Sequence, residues 1–158
     1  MSESAVIFLA TRLHMLVLLA WVLFLFYIKK ETRLRMILLT SISLPISFLI
    51  SRVASYFYFN PRPFVVDGFE SLVFHVADNG FPSDHMLLVS TLSMAVFAVN
   101  RTVGFAFILL SVLVGLGRVM AGVHHVLDVV GSLVISILAV CLGYIFISKF
   151  VNKKFYGA

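Results

Sequence analysis

Five apolar runs divide the chain, and its charged residues collect where those runs end. The runs cover roughly Ala5 to Ile28, Met36 to Phe59, Ser83 to Val99, Val103 to Met120 and His125 to Ile147. A bilayer core of about 30 Å takes about 20 helical residues to cross. Each run therefore predicts a transmembrane helix, the third a short one. The expected fold is all-α, a polytopic membrane bundle of about five helices forming a single domain over residues 1–158. Pro45 is expected to kink the second helix, because proline removes a backbone donor and crowds the preceding turn.

Composition agrees. Hydrophobic residues make up 61% of the chain and charged residues only 12%, against about a quarter charged in a soluble domain. The net charge of +5 comes from short basic patches beside apolar runs, which is a membrane-topology pattern rather than a nucleic-acid surface. No nucleic-acid partner is expected. Cys141 stands alone inside an apolar run and reads as a small packing residue.

The basic residues also orient the molecule. Lys29, Lys30, Arg33 and Arg35 fill the first loop, Arg101 marks the third, and Lys149, Lys153 and Lys154 follow the last run. Positively charged loops stay in the cytoplasm, so the C-terminus is expected inside and the N-terminus outside. The N-terminal segment has no basic stretch before its apolar run, which argues against a cleaved signal peptide. The long loop from Asn60 to Pro82 and the turn from Ala121 to His124 then both face the exterior.

Three groups of polar residues converge on that face. Ionisable side chains at bilayer depth cost on the order of 2.5–3.5 kcal/mol each, so a cluster of them points to function. In Gly117-Arg118-Val119-Met120-Ala121-Gly122-Val123-His124-His125-Val126-Leu127-Asp128, a helix starting near Val123 would put His124 and Asp128 on one face. The carboxylate can then hold one imidazole nitrogen and leave the other as a nucleophile. A structural His–Asp pair with a snorkelling arginine fits the same spacing. Pro82-Ser83-Asp84-His85 opens the third run; Ser83 is either an ordinary helix cap or, with the first-turn amides, a phosphate contact, with His85 as proton donor. Arg62, in Pro61-Arg62-Pro63, is a turn residue or a rigid fork for phosphate. His125 reads as a packing residue or a support behind the site, and His75 as a solvated loop residue or a gate for a headgroup; Arg12 and His14 fall in the outer half of the first helix, facing either the site or the bundle interior.

Together these groups resemble the signature of the type 2 phosphatidic acid phosphatase superfamily, which includes the vanadium haloperoxidases. That signature is lysine, six residues, Arg-Pro; then Pro-Ser-Gly-His; then Ser-Arg, five residues, His, three residues, Asp. Arg62-Pro63, Pro82-Ser83-His85 and Arg118, His124, Asp128 match it in order and spacing, over about Arg52 to Leu142. The resemblance implies a helical bundle that hydrolyses phosphate esters through a phosphohistidine, with no metal or other cofactor. It assigns catalysis to His124, His85 and Asp128 and phosphate binding to Arg62, Arg118 and Ser83.

The chain departs from the signature at three places. Ser55 takes the lysine position, Asp84 the glycine position, and Gly117 the place of the serine before Arg118. Arg52, one helical turn from Ser55, is the expected substitute for the lysine, unless it pairs with another helix instead. Aspartate in the second motif is similar to members of the bacitracin-resistance type acting on undecaprenyl diphosphate. The implied setting is a bacterial inner membrane, with membrane lipids as surroundings and a lipid phosphate as substrate. Phosphatidylglycerophosphate, phosphatidic acid and lipid A are the alternatives. The five histidines also admit a haem- or metal-binding protein. A transporter would need polar residues at the bilayer midplane, and the few serines there are accounted for by helix packing.

Overall fold

The computed structural model describes residues 1–151. Among these the regular elements are helices, as the apolar runs predict: α1 Glu3–Thr11, α2 Leu13–Tyr27, α3 Lys30–Phe57, α4 Pro63–Asp67, α5 Asp84–Val99, α6 Arg101–Met120 and α7 Val126–Phe146, closed by a π-helical turn Ile147–Val151. Lys153 and Lys154, which contribute to the expected cytoplasmic tail, lie outside the described residues.

α5 is the centre of the bundle. It packs against α3, α6 and α7, and Met86, Val89, Leu92, Ala95 and Val96 are all buried on it. That encirclement explains why its sequence is apolar without a polar stripe. Its interior hydroxyls are paired between helices: Ser90 with Ser136 at 2.6 Å and Ser93 with Ser111 at 2.7 Å. Such pairs satisfy groups that lipid cannot, so the serines belong to packing, as expected.

The span count differs from the expectation of five. Among the described residues, α3, α6 and α7 are long and apolar enough to cross a membrane. α1 and α2 make a fourth only as one bent span, because the chain turns by 47° at its break. α5 is apolar but only 16 residues long. The first loop is also shorter than expected. Lys30, Arg33 and Arg35 lie in the opening turns of α3, which runs from Lys30 to Phe57 and continues through Pro45.

The bend at Arg12 has a structural use. α6 crosses α1 where a Cβ on Gly117 would meet the Leu9 Cβ at 2.6 Å and the Ala10 amide nitrogen at 2.7 Å. The departure from serine at this position is therefore enforced by packing. Gly122 is the second glycine with a specific duty: its φ of +76° turns the chain between α6 and α7 and delivers His124 to the site.

Candidate active site

His124 organises the site. It sits just before α7, not on it, because the helix begins at Val126; the expected shared helix face is replaced by a loop residue facing the first turn. The pairing still forms. Nδ1 lies 3.0 Å from the Gly80 carbonyl oxygen and 3.3 Å from Asp128 Oδ2. Both of those atoms can only accept, so Nδ1 carries the hydrogen and Nε2 the lone pair. Nε2 in turn faces two donors, Arg62 Nη1 at 3.3 Å and Arg118 Nη2 at 3.4 Å.

Burial makes these charges count. His124, Asp128, Arg62 and Arg118 are each buried, with Asp128 fully enclosed. Desolvation lowers the His124 pKa below its usual value; the hydrogen bond to Asp128 opposes this, and the charges of Arg118 and Arg62 add to the lowering. The imidazole is thus held neutral beside two guanidinium groups. A neutral nitrogen lone pair flanked by cationic forks is an arrangement that can attack the phosphorus of a bound phosphate anion.

Each arginine is fixed from behind. Arg62 donates from Nε to Asp78 at 2.7 Å and from Nη1 to the Val123 carbonyl at 2.8 Å. Burial would raise the Asp78 pKa, but the hydrogen bond and charge of Arg62 hold it below the usual range. Arg118 reaches the Ala10 carbonyl at 3.4 Å, an oxygen in the last turn of α1 beside the bend, where helix carbonyls lose their partners.

Ser83 caps α5, with its hydroxyl buried and without a partner, and its amide donates to the Asp128 carbonyl at 3.3 Å. An enclosed hydroxyl left unpaired has hydrogen-bonding capacity for a ligand. His85, in the first turn of the same helix, lines a cleft of about 140 Å³ together with His124, Arg62 and Arg52. Another cavity, of about 220 Å³, lies elsewhere, between the start of α3 and the end of α7 beside Thr32 and Ser148, and no histidine or acid lines it.

Arg52 lines the cleft but is engaged, donating to Asp84 at 2.6 Å with both side chains about half exposed or more. The expected substitute for the lysine is therefore the partner, across α3 and α5, of the aspartate that departs from the signature. Ser55, at the lysine position, accepts from Asn79 Nδ2 at 3.0 Å.

Several site residues carry no sequence signal of their own. Asn60 donates to Asp128, while Asn79 accepts from the Asn60 and Phe81 amides and so ties the loop to the end of α3. His125 donates from Nε2 to the Pro61 carbonyl at 3.0 Å, which anchors the Arg62 turn. His14 packs edge to face on His85 with ring centroids 4.4 Å apart, a contact too close for an iron between the rings. His75, expected as a solvated loop residue, lies against His124 at 6.0 Å.

A sequence profile of the PAP2 superfamily matches residues 53–152, which contain His85, Arg118, His124 and Asp128. The chain belongs to the PAP2 superfamily. Within it, the chain is 39% identical over 103 residues to undecaprenyl-diphosphatase BcrC of Bacillus subtilis, a match covering 65% of this chain and 50% of that protein. It is 32% identical to the Escherichia coli protein named "Putative undecaprenyl-diphosphatase YbjG", over 97% of this chain and 77% of that one. The chain thus spans about half the length of its Bacillus subtilis relative. The PAP2 fold is also seen in the crystal structure of Aquifex aeolicus LpxE, which aligns with a TM-score of 0.68 at 22% identity over 90% of this chain and 82% of that one.

Proposed function

We propose that this chain is a membrane lipid phosphatase that hydrolyses a lipid diphosphate through a phosphohistidine, with undecaprenyl diphosphate as substrate and undecaprenyl phosphate as product. The observation that carries the reading is the split environment of His124, with Nδ1 held by Gly80 and Asp128 and Nε2 set between Arg62 and Arg118. The substrate class rests on the two relatives whose names carry undecaprenyl-diphosphatase.

In this mechanism Nε2 of His124 attacks the terminal phosphorus in line, and the bond to the bridging oxygen breaks. Arg62, Arg118 and the unpaired Ser83 hydroxyl hold the equatorial oxygens as charge develops. His85 protonates the leaving oxygen. Water then gives a proton to His85 and attacks phosphorus, breaking the bond to Nε2, releasing inorganic phosphate and restoring neutral His124. Arg52, once released from Asp84, supplies a further cationic contact to the headgroup. An apolar groove of about 230 Å³ between α3 and α5, lined by Leu44, Phe48, Leu87 and Leu88, meets the cleft at Asp84. It offers the lipid tail a path while the headgroup enters the cleft. The site faces the exterior of a bacterial inner membrane, on the basic-residue pattern given above.

The deciding experiment measures phosphate release in detergent, with EDTA present, from undecaprenyl diphosphate, phosphatidylglycerophosphate, phosphatidic acid and lipid A. The undecaprenyl substrate is expected to give the highest kcat/KM. Preference for a monophosphate lipid would reassign the substrate; no release from any would overturn the enzyme reading.

A further inference from the structure

His75 belongs to no part of the family signature, yet the fold brings it to the reacting centre. The loop that carries it is pinned over the turn bearing His124: the Leu72 amide donates to the Ala121 carbonyl at 3.1 Å, Val73 packs on the cluster of Val6, Ala10, Ala121 and Val123, and Phe69 covers Gly122. Between these anchors and Asp78, the His75 ring stands edge to face with His124 and lines the same cleft.

Its two nitrogens are in different settings. Nδ1 is buried without a hydrogen-bond partner, which leaves Nε2 to face the cleft. A buried lone pair without a partner is better tolerated than a buried N–H, so the favoured tautomer puts the hydrogen on Nε2, as a donor into the cleft. Burial first, then the charges of Arg62, Arg118 and His124, lower the pKa to about 4, with a main-chain interaction at Val76 opposing them. The ring is neutral at working pH.

We infer that His75 is a phosphate-binding residue, donating from Nε2 to an equatorial oxygen of the phosphoryl group as it transfers to and from His124. The inference rests on the proposed phosphohistidine mechanism and adds a fourth contact to those of Arg62, Arg118 and Ser83, in a site where the family lysine is missing. The other role open to a neutral histidine, base for the hydrolytic water, needs a lone pair on the nitrogen that faces the cleft, whereas the favoured tautomer puts the hydrogen there. With its ring beside that of His124, His75 flanks the line of attack, where the equatorial oxygens lie.

The test compares His75→Phe, which keeps an aromatic ring and removes the donor, with wild type. It reads kcat/KM for phosphate release and the inhibition constant of orthovanadate, a mimic of five-coordinate phosphorus. Loss of one hydrogen bond to a charged group predicts that both worsen by about 10- to 100-fold. A second pair, His75→Gln and His75→Met, matches size and differs in the donor, so Gln is expected to recover activity that Met does not. Wild-type values within about twofold for His75→Phe, or equal activity of Gln and Met, overturn the inference. His124→Ala is run alongside. If it stays active, the mechanism itself fails; if it is inactive while His75→Phe is normal, only the role of His75 fails.

Discussion

Asn60 donates from its side-chain amide to Oδ1 of Asp128 at 2.7 Å, joining residues 68 positions apart in sequence. The other carboxylate oxygen meets the His125 amide at 2.8 Å and His124 Nδ1 at 3.3 Å. The carboxylate is thus fixed on both sides before it orients the imidazole. His124→Ala is expected to reduce kcat below about a hundredth of wild type, since removing a nucleophile leaves only binding and electrostatics. Asp128→Asn should cost about a hundredfold or more through lost orientation, and Asn60→Leu about tenfold. Steady-state phosphate release with melting temperatures checks all three; an Asn60→Leu enzyme worse than Asp128→Asn would contradict the order.

The pH profile follows from the same ring. Neutral His124 is the reactive form and its pKa is lowered, chiefly by burial, so the acid limb of kcat/KM is expected below pH 6.5. Asp128 is a contribution that raises the value, so Asp128→Asn should move that limb to still lower pH. Arg118 is one that lowers it, so the residual activity of Arg118→Gln should show a limb at higher pH. Shifts of the opposite sign would remove His124 as the titrating group.

His85→Ala should damage hydrolysis of substrates with poor leaving groups far more than of an activated aryl phosphate, which departs without a proton. Equal losses on both would make His85 a structural residue. Activity is expected to persist in EDTA, because the positive charges at the site are guanidinium groups; inhibition by EDTA that Mg²⁺ reverses would contradict this.

Topology can be read by labelling. In a variant with Cys141 replaced, a single cysteine at Glu70, exposed in the loop before the site, should react with an impermeant thiol reagent in intact cells. One at Glu31, exposed at the start of α3, should react only after permeabilisation. The reverse pattern would make the substrate a lipid of the cytoplasmic leaflet.

Arg52 tests the coupling between the expected lysine substitute and the departure at Asp84. Its removal strips the neutralising partner from Asp84 in an anion-binding cleft, so Arg52→Ala should lower kcat/KM by roughly 10- to 100-fold. Adding Ser55→Lys to it should restore much of that. Normal kinetics for Arg52→Ala, with only a lower melting temperature, would leave the pair a packing contact.

The helices and the two catalytic motifs were legible because they depend on local signals: long apolar runs, and residue types at fixed short spacings. His124, Asp128 and Ser83 come together as those signals imply. The exact start of α7 was not legible, because His125 and Val126 give no strong cap signal, and the bend at Arg12 has neither glycine nor proline to announce it. Asn60, Asn79 and His75 escaped for a different reason. They act through tertiary contacts of a loop whose course is set by Phe69, Leu72 and Val73 docking on the α6–α7 turn, and no pattern within the loop encodes its landing place. His14 was placed near the outer end of its helix, but its contact with His85 needs the bend.

Arg118 leans on the carbonyl oxygen of Ala10, and a main-chain oxygen is supplied by any amino acid. The back wall of the site is thus written in the path of the first helices rather than in their side chains. The profile match begins only at residue 53, so a fragment trimmed to it would keep every signature residue and lose a support of one of its two arginines. Sequence comparison sees the reacting groups; the strut behind them is anonymous.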